Sequence, residues 1–459
     1  MSYDIAIIGG GVVGCAVARE LAGFDLRLVL IEARGDIGDA TSKANTAILH
    51  TGFDAVPGSL ESTMVARGYQ LLSNYAQATG IPVEHTGALL VAWDNDQLAV
   101  LPKLREKAVN NGYDKCEIVG ADEVYRRVPD LGPGALGGLT VPDESITCPW
   151  TTPLAFATEA KARGVDIRLS TFVESIEVGQ ETTVLRTSSG DITSRWVVNA
   201  AGLGGDVIDR MLGYDRFTIV PRRGELFVFD KLTRPMASTI VLPVPTEKGK
   251  GVLISPTIYG NVMLGPTSEN LVDRTDTSTS EEGFAFLLEK GAALMPTLLA
   301  EEVTASYAGL RASTEFSDYV VDLDAPKRYL LLGGIRSTGL TASMALGEYS
   351  RDLLAKAGVT LTKRTELPDP PRMPNIGEAF PRPYQRTDLI ESNPEYGEIV
   401  CFCERVTRGE IRDALASPLP PCDLDGLRRR TRALMGRCQG FFCGAEIDEL
   451  MRSGGTDHE

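Results

Sequence analysis

Long apolar runs are missing from this 459-residue chain. None approaches the roughly 20 residues that a membrane-spanning helix requires. Nor does a basic segment followed by an apolar one open it, because Asp4 sits early and Gly9 to Gly11 interrupt the first hydrophobic stretch. A cytoplasmic protein, at most peripheral to the inner membrane, is the expectation. Positive charge is also in deficit: 46 Lys and Arg stand against 62 Asp and Glu, a net charge of −16. That balance argues against nucleic acid as a partner, since phosphate backbones are bound by basic surfaces. A small anionic substrate would need local cations, so individual arginines matter more than the total. Histidine is scarce, with three residues in all, and internal repeats are absent. The length exceeds one simple core, so two or three domains are expected.

What is present begins at residue 4. Asp4-Ile5-Ala6-Ile7-Ile8 reads as a strand buried on both faces, and Val13, Ala16, Val17 and Leu21 have helical spacing. Between them Gly9, Gly11 and Gly14 occupy the three positions of GxGxxG. The first glycine allows the tight turn, the second lets backbone approach a pyrophosphate, and the third lets helix pack close to strand. Unpartnered N–H groups at the helix start would receive the phosphates. Glu32 closes the next strand, Arg27 to Ile31, at the spacing where an acid accepts from a ribose hydroxyl. The motif leaves open which dinucleotide binds.

The segment from Gly35 to Gly52 is rich in glycine and hydroxyls, with Ser42 and Asn45 able to hydrogen-bond a ring system. It ends near His50, which titrates near neutrality and could assist removal of a proton from a hydroxyl or amine. Helices are predicted over Glu61 to Ala78, Leu101 to Asn111, Pro153 to Arg163 and Glu281 to Leu294. A second approach of backbone to the cofactor is predicted where the Trp196 to Asn199 strand runs into Ala200-Ala201-Gly202. Residues 217–266 alternate as an antiparallel sheet should. Arg311 ends an apolar strand, and Arg336 and Thr341 follow another.

Residues 365–385 are proline-rich and lack periodicity, the mark of a semi-rigid linker. Past them, Cys401-Phe402-Cys403 and Cys438 to Cys443 form CxC and Cx4C pairs that can gather four thiolates around one centre. Zinc and iron-sulfur both suit four cysteines. Thr407 with Glu410 predicts a capped helix to Ala416, and a second helix is expected over Asp425 to Met435. Its arginines, Arg428 to Arg430 and Arg432, could offset the charge of the thiolates. Cys422 stands alone after two prolines and reads as a non-ligand. A redox centre is preferred to zinc because a flavin-type cofactor elsewhere would give it a partner.

Several stretches together resemble the D-amino-acid-oxidase-like flavoprotein superfamily: the opening fingerprint, Thr41 to Gly52, Pro221 to Phe229, Gly309-Leu310-Arg311 and Gly333 to Thr341. Within it the chain is most similar to anaerobic-type glycerol-3-phosphate dehydrogenases and L-2-hydroxyglutarate oxidases. The tail resembles the bacterioferritin-associated-ferredoxin-like 2Fe-2S domain. The resemblance implies an α/β fold: a Rossmann-like FAD-binding domain, an interleaved antiparallel-sheet substrate domain and a small C-terminal helical iron-sulfur domain. The expected boundaries are 1–80, 146–210 and 305–360 for the first, 81–145 and 211–304 for the second, 361–396 for the linker and 397–455 for the last. FAD would be held by Gly9, Gly11, Gly14 and Glu32, with Thr41, Ser42, Ala201, Gly202, Gly334, Gly339 and Leu340 lining it. A 2Fe-2S cluster would be held by Cys401, Cys403, Cys438 and Cys443. Arg311 would grip the substrate's anion, with Arg222, Arg223 or Arg336 next in line, and His50 would face the flavin. The resemblance thus implies a dehydrogenase oxidising glycerol 3-phosphate or a 2-hydroxy acid. Electrons would leave through the cluster to a quinone, an electron-transfer flavoprotein or a partner subunit. An amino-acid or amine dehydrogenase of opine or proline type shares the fold, as would an electron-carrier subunit. Relatives often follow Gly-Leu-Arg with proline where this chain has Ala312, a departure beside the expected pocket.

Overall fold

The computed structural model describes residues 2–245, 251–378 and 380–454. Its opening unit is strand β1 (Ser2–Ile8), helix α1 (Val12–Leu21) and strand β2 (Leu28–Ile31). The strands pair in parallel, Ile5 opposite Leu28 and Ile8 opposite Ile31. Ile5 to Ile8 and all four β2 residues are buried, as the unbroken apolar runs require. Gly9 turns the chain with φ of +109°, a conformation that glycine adopts without strain. A Cβ on Gly14 would lie 1.9 Å from the Gly9 carbonyl oxygen, so only glycine lets α1 start this close to β1.

On its other edge β1 pairs in parallel with Ile192–Asn199, which pairs in turn with Tyr329–Gly333. This eight-stranded sheet therefore draws on three separate parts of the chain. Helices Thr151–Ala162 and Gly339–Lys356 pack on α1 over one face. The nine-stranded second sheet is mostly antiparallel. Its longest pairing sets Val220–Phe229 against Val303–Ser313, with Arg222 directly opposite Arg311. Ile240–Pro243 joins Ala88–Ala92, so residues from both sides of 146–210 share one sheet.

A three-stranded sheet places Ser145–Thr147 between Ile48–Leu49 and Val83–Glu84. It brings His50 beside Glu144, 94 residues apart in sequence. The proline-rich segment lies along the body: the amides of Met373 and Glu378 donate to the Thr79 and Ile258 carbonyls, and Ile376 is buried.

The C-terminal lobe has its own small core of Val400, Val406, Ile411, Leu427, Leu434 and Ile447. Thr407 and Glu410 cap the helix Arg408–Leu415 reciprocally, as their spacing predicts. The next helix is shorter than expected. It spans Leu424–Thr431 and stops at Arg432, whose φ of +74° turns the chain back toward the first cysteine pair.

Candidate active site

Between the two large sheets lies a cavity of about 2100 Å3. Of the residues expected to hold a dinucleotide, Gly9, Gly11, Glu32, Thr41, Ser42, Ala201, Gly202, Gly334, Gly339 and Leu340 all line it. Gly14 does not, because it is spent on helix-strand packing. The N-cap of α1 is Gly11, which brings no side chain of its own, and the Val12 amide donates instead to Ser42 Oγ at 2.9 Å. Glu32 accepts from the Gly10 and Arg34 amides at 2.6 and 2.8 Å. Burial outweighs these bonds and raises the Glu32 carboxyl above its ordinary value. A glycine turn, a helix start whose N-cap glycine leaves room for a ligand and a carboxylate with lone pairs to spare fit the pyrophosphate and ribose of a dinucleotide.

Further in, the cavity wall carries His50 and Arg311. The His50 amide donates to Thr341 Oγ1 at 3.0 Å. Its ring Nδ1 lies 2.9 Å from Glu144 Oε2, and Glu144 Oε1 accepts from both the amide and the hydroxyl of Thr51 at 2.6 and 2.9 Å. Glu144 is fully buried. A carboxylate held this way fixes the ring's orientation and would stabilise its protonated form, as in base-orienter pairs generally. Glu144 escaped the sequence reading because only the pairing of two short strands brings it to His50.

The cavity's cations sort by their partners. Arg34, Arg223, Arg274, Lys290 and Arg336 are bound to Asp39, Glu269, Asp206, Glu289 and Glu61. Arg222 and Arg311 have no carboxylate partner among the described residues. Arg222 donates to the Asn270 side chain at 2.9 Å. Arg311 makes no side-chain hydrogen bond at all among them. Burial, then the charge of Arg222, pulls the Arg311 guanidinium below its ordinary value. The two guanidinium groups thus lie side by side on the cavity wall, both half-buried and without a carboxylate partner among the described residues.

In the lobe the cysteines sit as two couples, Cys401 near Cys443 and Cys403 near Cys438. No three His, Cys, Asp or Glu side chains among the described residues are gathered as around a single metal ion. The backbone amides of Phe442, Gly440 and Phe441 hydrogen-bond to Cys438 and lower its thiol below the ordinary value. Four thiols in one small lobe match in kind and number the donors that a 2Fe-2S cluster takes. Cys422 is exposed beside the Gly35 turn, apart from the couples. The arginine run is not arranged as expected: Arg429 and Arg430 reach out of the lobe to Asp36, and Arg432 binds Glu404. Their charges are consumed by carboxylates.

A family described as FAD dependent oxidoreductase matches residues 4–353, and the chain belongs to it. A BFD-like [2Fe-2S] binding domain matches residues 399–453, so this flavoenzyme also carries a cluster-binding lobe. The chain is 34% identical over 452 residues to the glycerol 3-phosphate dehydrogenase of Caloramator mitchellensis, covering 98% of this chain and 94% of that one. It is 29% identical over 355 residues to the glycerol 3-phosphate oxidase of Mycoplasma pneumoniae, covering 75% and 92%. The solved L-alpha-glycerophosphate oxidase of Mycoplasma pneumoniae, with FAD bound, superposes with a TM-score of 0.78 at 27% identity over 82% of this chain and all of that one. No helix among the described residues is long and apolar enough to cross a membrane.

Proposed function

We propose that this chain is a glycerol 3-phosphate dehydrogenase that passes electrons through its 2Fe-2S lobe to a quinone or a protein acceptor. The observation that carries the reading is the Arg311–Arg222 pair. A phosphate monoester brings nearly two negative charges, which suits two unneutralised guanidinium groups better than a single carboxylate does. The name of the relative sharing nearly the whole chain agrees.

In this reading Arg311 holds the phosphate, with Arg222 adding charge from the facing strand. His50 accepts the proton of the alcohol undergoing oxidation, and Glu144 holds the ring in place and supports the resulting imidazolium. FAD, held by the glycine turn, Glu32 and the Thr41–Ser42 segment, supplies the acceptor for the hydride. Cys401, Cys403, Cys438 and Cys443 hold the cluster, a one-electron carrier.

An anaerobic panel of glycerol 3-phosphate, L-2-hydroxyglutarate, glycine and L-proline, read as bleaching of the flavin band, tests the substrate. Glycerol 3-phosphate should bleach it fastest. Bleaching by an amino acid, with none by the phosphate ester, would overturn the reading. A second test addresses the dyad. Glu144→Gln keeps the shape but removes the charge, and should lower kcat by about tenfold to a hundredfold, part of what general base catalysis contributes, with little change in KM. An unaltered kcat would remove the dyad from proton transfer.

A further inference from the structure

The loop that carries the flavin's expected ligands is also the place where the cluster lobe docks. Ala33 and Arg34 line the cavity, as do Ala40, Thr41 and Ser42, but residues 35–39 between them do not. Three of those five, Gly35, Asp36 and Asp39, meet the lobe instead. Asp36, 2% exposed, accepts from Arg430 through both oxygens, at 2.7 and 2.8 Å, and from Arg429 at 2.8 Å. Arg429 also reaches Asp39 at 2.9 Å. The Gly38 amide donates to the Gly10 carbonyl at 2.9 Å, tying the same loop to the glycine turn.

A second anchor secures the loop's far end. Arg432 lies over the Tyr259 ring, 4.4 Å from its centroid, and Tyr259 stacks on Trp150. Trp150 Nε1 donates to the Lys43 carbonyl at 2.9 Å. Both ends of a cavity-lining loop are therefore held by one short arginine-bearing segment of the lobe.

Burying three charges costs nearly as much hydration as their attraction returns, so such contacts favour docking only modestly and leave it adjustable. Whatever orders the loop should then tighten docking, and the dependence must run both ways. We propose that FAD binding and docking of the 2Fe-2S lobe are reciprocally linked through Asp36, with Asp36, Arg429, Arg430 and Arg432 as positioning residues. The linkage makes no use of the substrate, so it stands apart from the assignment of glycerol 3-phosphate.

The test uses full-length holoenzyme. FAD release after dilution is followed by free-flavin fluorescence for the native chain, Asp36→Asn and Arg430→Met, and hydrogen exchange of residues 424–432 is measured before and after FAD has left. Either variant should release FAD about tenfold faster, an ordinary coupling between linked sites, and native exchange in 424–432 should rise once FAD is gone. Arg430→Met is the sharper variant, because Arg430 lies on the lobe and does not line the cavity. If Asp36→Asn does not fold, Arg430→Met and the native exchange measurement carry the same prediction. Native exchange indifferent to FAD, or Arg430→Met with raised exchange but native FAD release, would overturn the proposal.

Discussion

Arg311→Ala is expected to lower kcat/KM for the anionic substrate by about a hundredfold or more, the usual cost of truncating one partner of a buried charge pair. Most of the loss should fall on KM if the arginine holds substrate and transition state alike. Arg311 is singled out because no carboxylate among the described residues neutralises it: Arg34, Arg223, Arg274, Lys290 and Arg336 are each paired, and the charge that shifts Arg311 is another cation, Arg222. Arg222→Ala should cost less, since that side chain also serves Asn270. Arg311→Lys retains a charge but loses the planar fork, and should fall between native and alanine. Steady-state kinetics alongside a flavin absorption spectrum separates these losses from lost cofactor. Native kcat/KM in Arg311→Ala would place the anion elsewhere.

Cys443→Ser is expected to abolish turnover with an external one-electron acceptor while leaving flavin bleaching by substrate intact. Iron and acid-labile sulfide should fall from two of each per chain to near zero, with FAD content retained. The side chain sits 2% exposed in the lobe's own core, beside Leu434 and Ile447. Serine there removes a thiolate ligand and buries a hydroxyl, which costs about 1–3 kcal/mol where it finds no partner. The small core of such a lobe gains much of its stability from a bound centre, so losing the cluster should lower the lobe's melting transition and leave the body's in place. Full cluster content in the serine variant would exclude Cys443 as a ligand.

Features encoded locally were legible in the sequence. The strand-turn-helix of residues 2–21, the Thr407 capping box and the helix Glu281–Leu294 lie where patterning and capping signals place them, because each is decided within a few residues. The expected dinucleotide residues, Gly14 excepted, also line one cavity, since a glycine turn fixes its surroundings. What escaped was non-local. Glu144 meets His50 only through a strand pairing between remote segments. Arg222, Arg223, Arg311 and Arg336 read alike until their partners are seen, because pairing, not identity, decides which cation is left for a ligand. The Arg428 to Arg432 run invited a local explanation, charge balance for the thiolates. Its actual partner Asp36 lies 394 residues from Arg430. The early stop at Arg432 was hidden as well, since arginine is a good helix former and only the need to return the chain ends the helix there.

The order of strands in the flavin-side sheet has a consequence for how the chain is made. β1 is complete at residue 8, yet the sheet in which it is central is not closed until Tyr329–Gly333 pairs with Ile192–Asn199. At ordinary translation rates that gap corresponds to roughly half a minute. Throughout it, the unbroken apolar strands Ile5 to Ile8 and Leu28 to Ile31 have only part of their final cover. Sheets assembled from distant segments form slowly and expose sticky edges while they wait. The contiguous C-terminal lobe follows the body in the chain and has a small core of its own. Refolding yield should therefore be limited by the large α/β body, and chaperone dependence in the cell should follow the length of chain separating the first strand from the last.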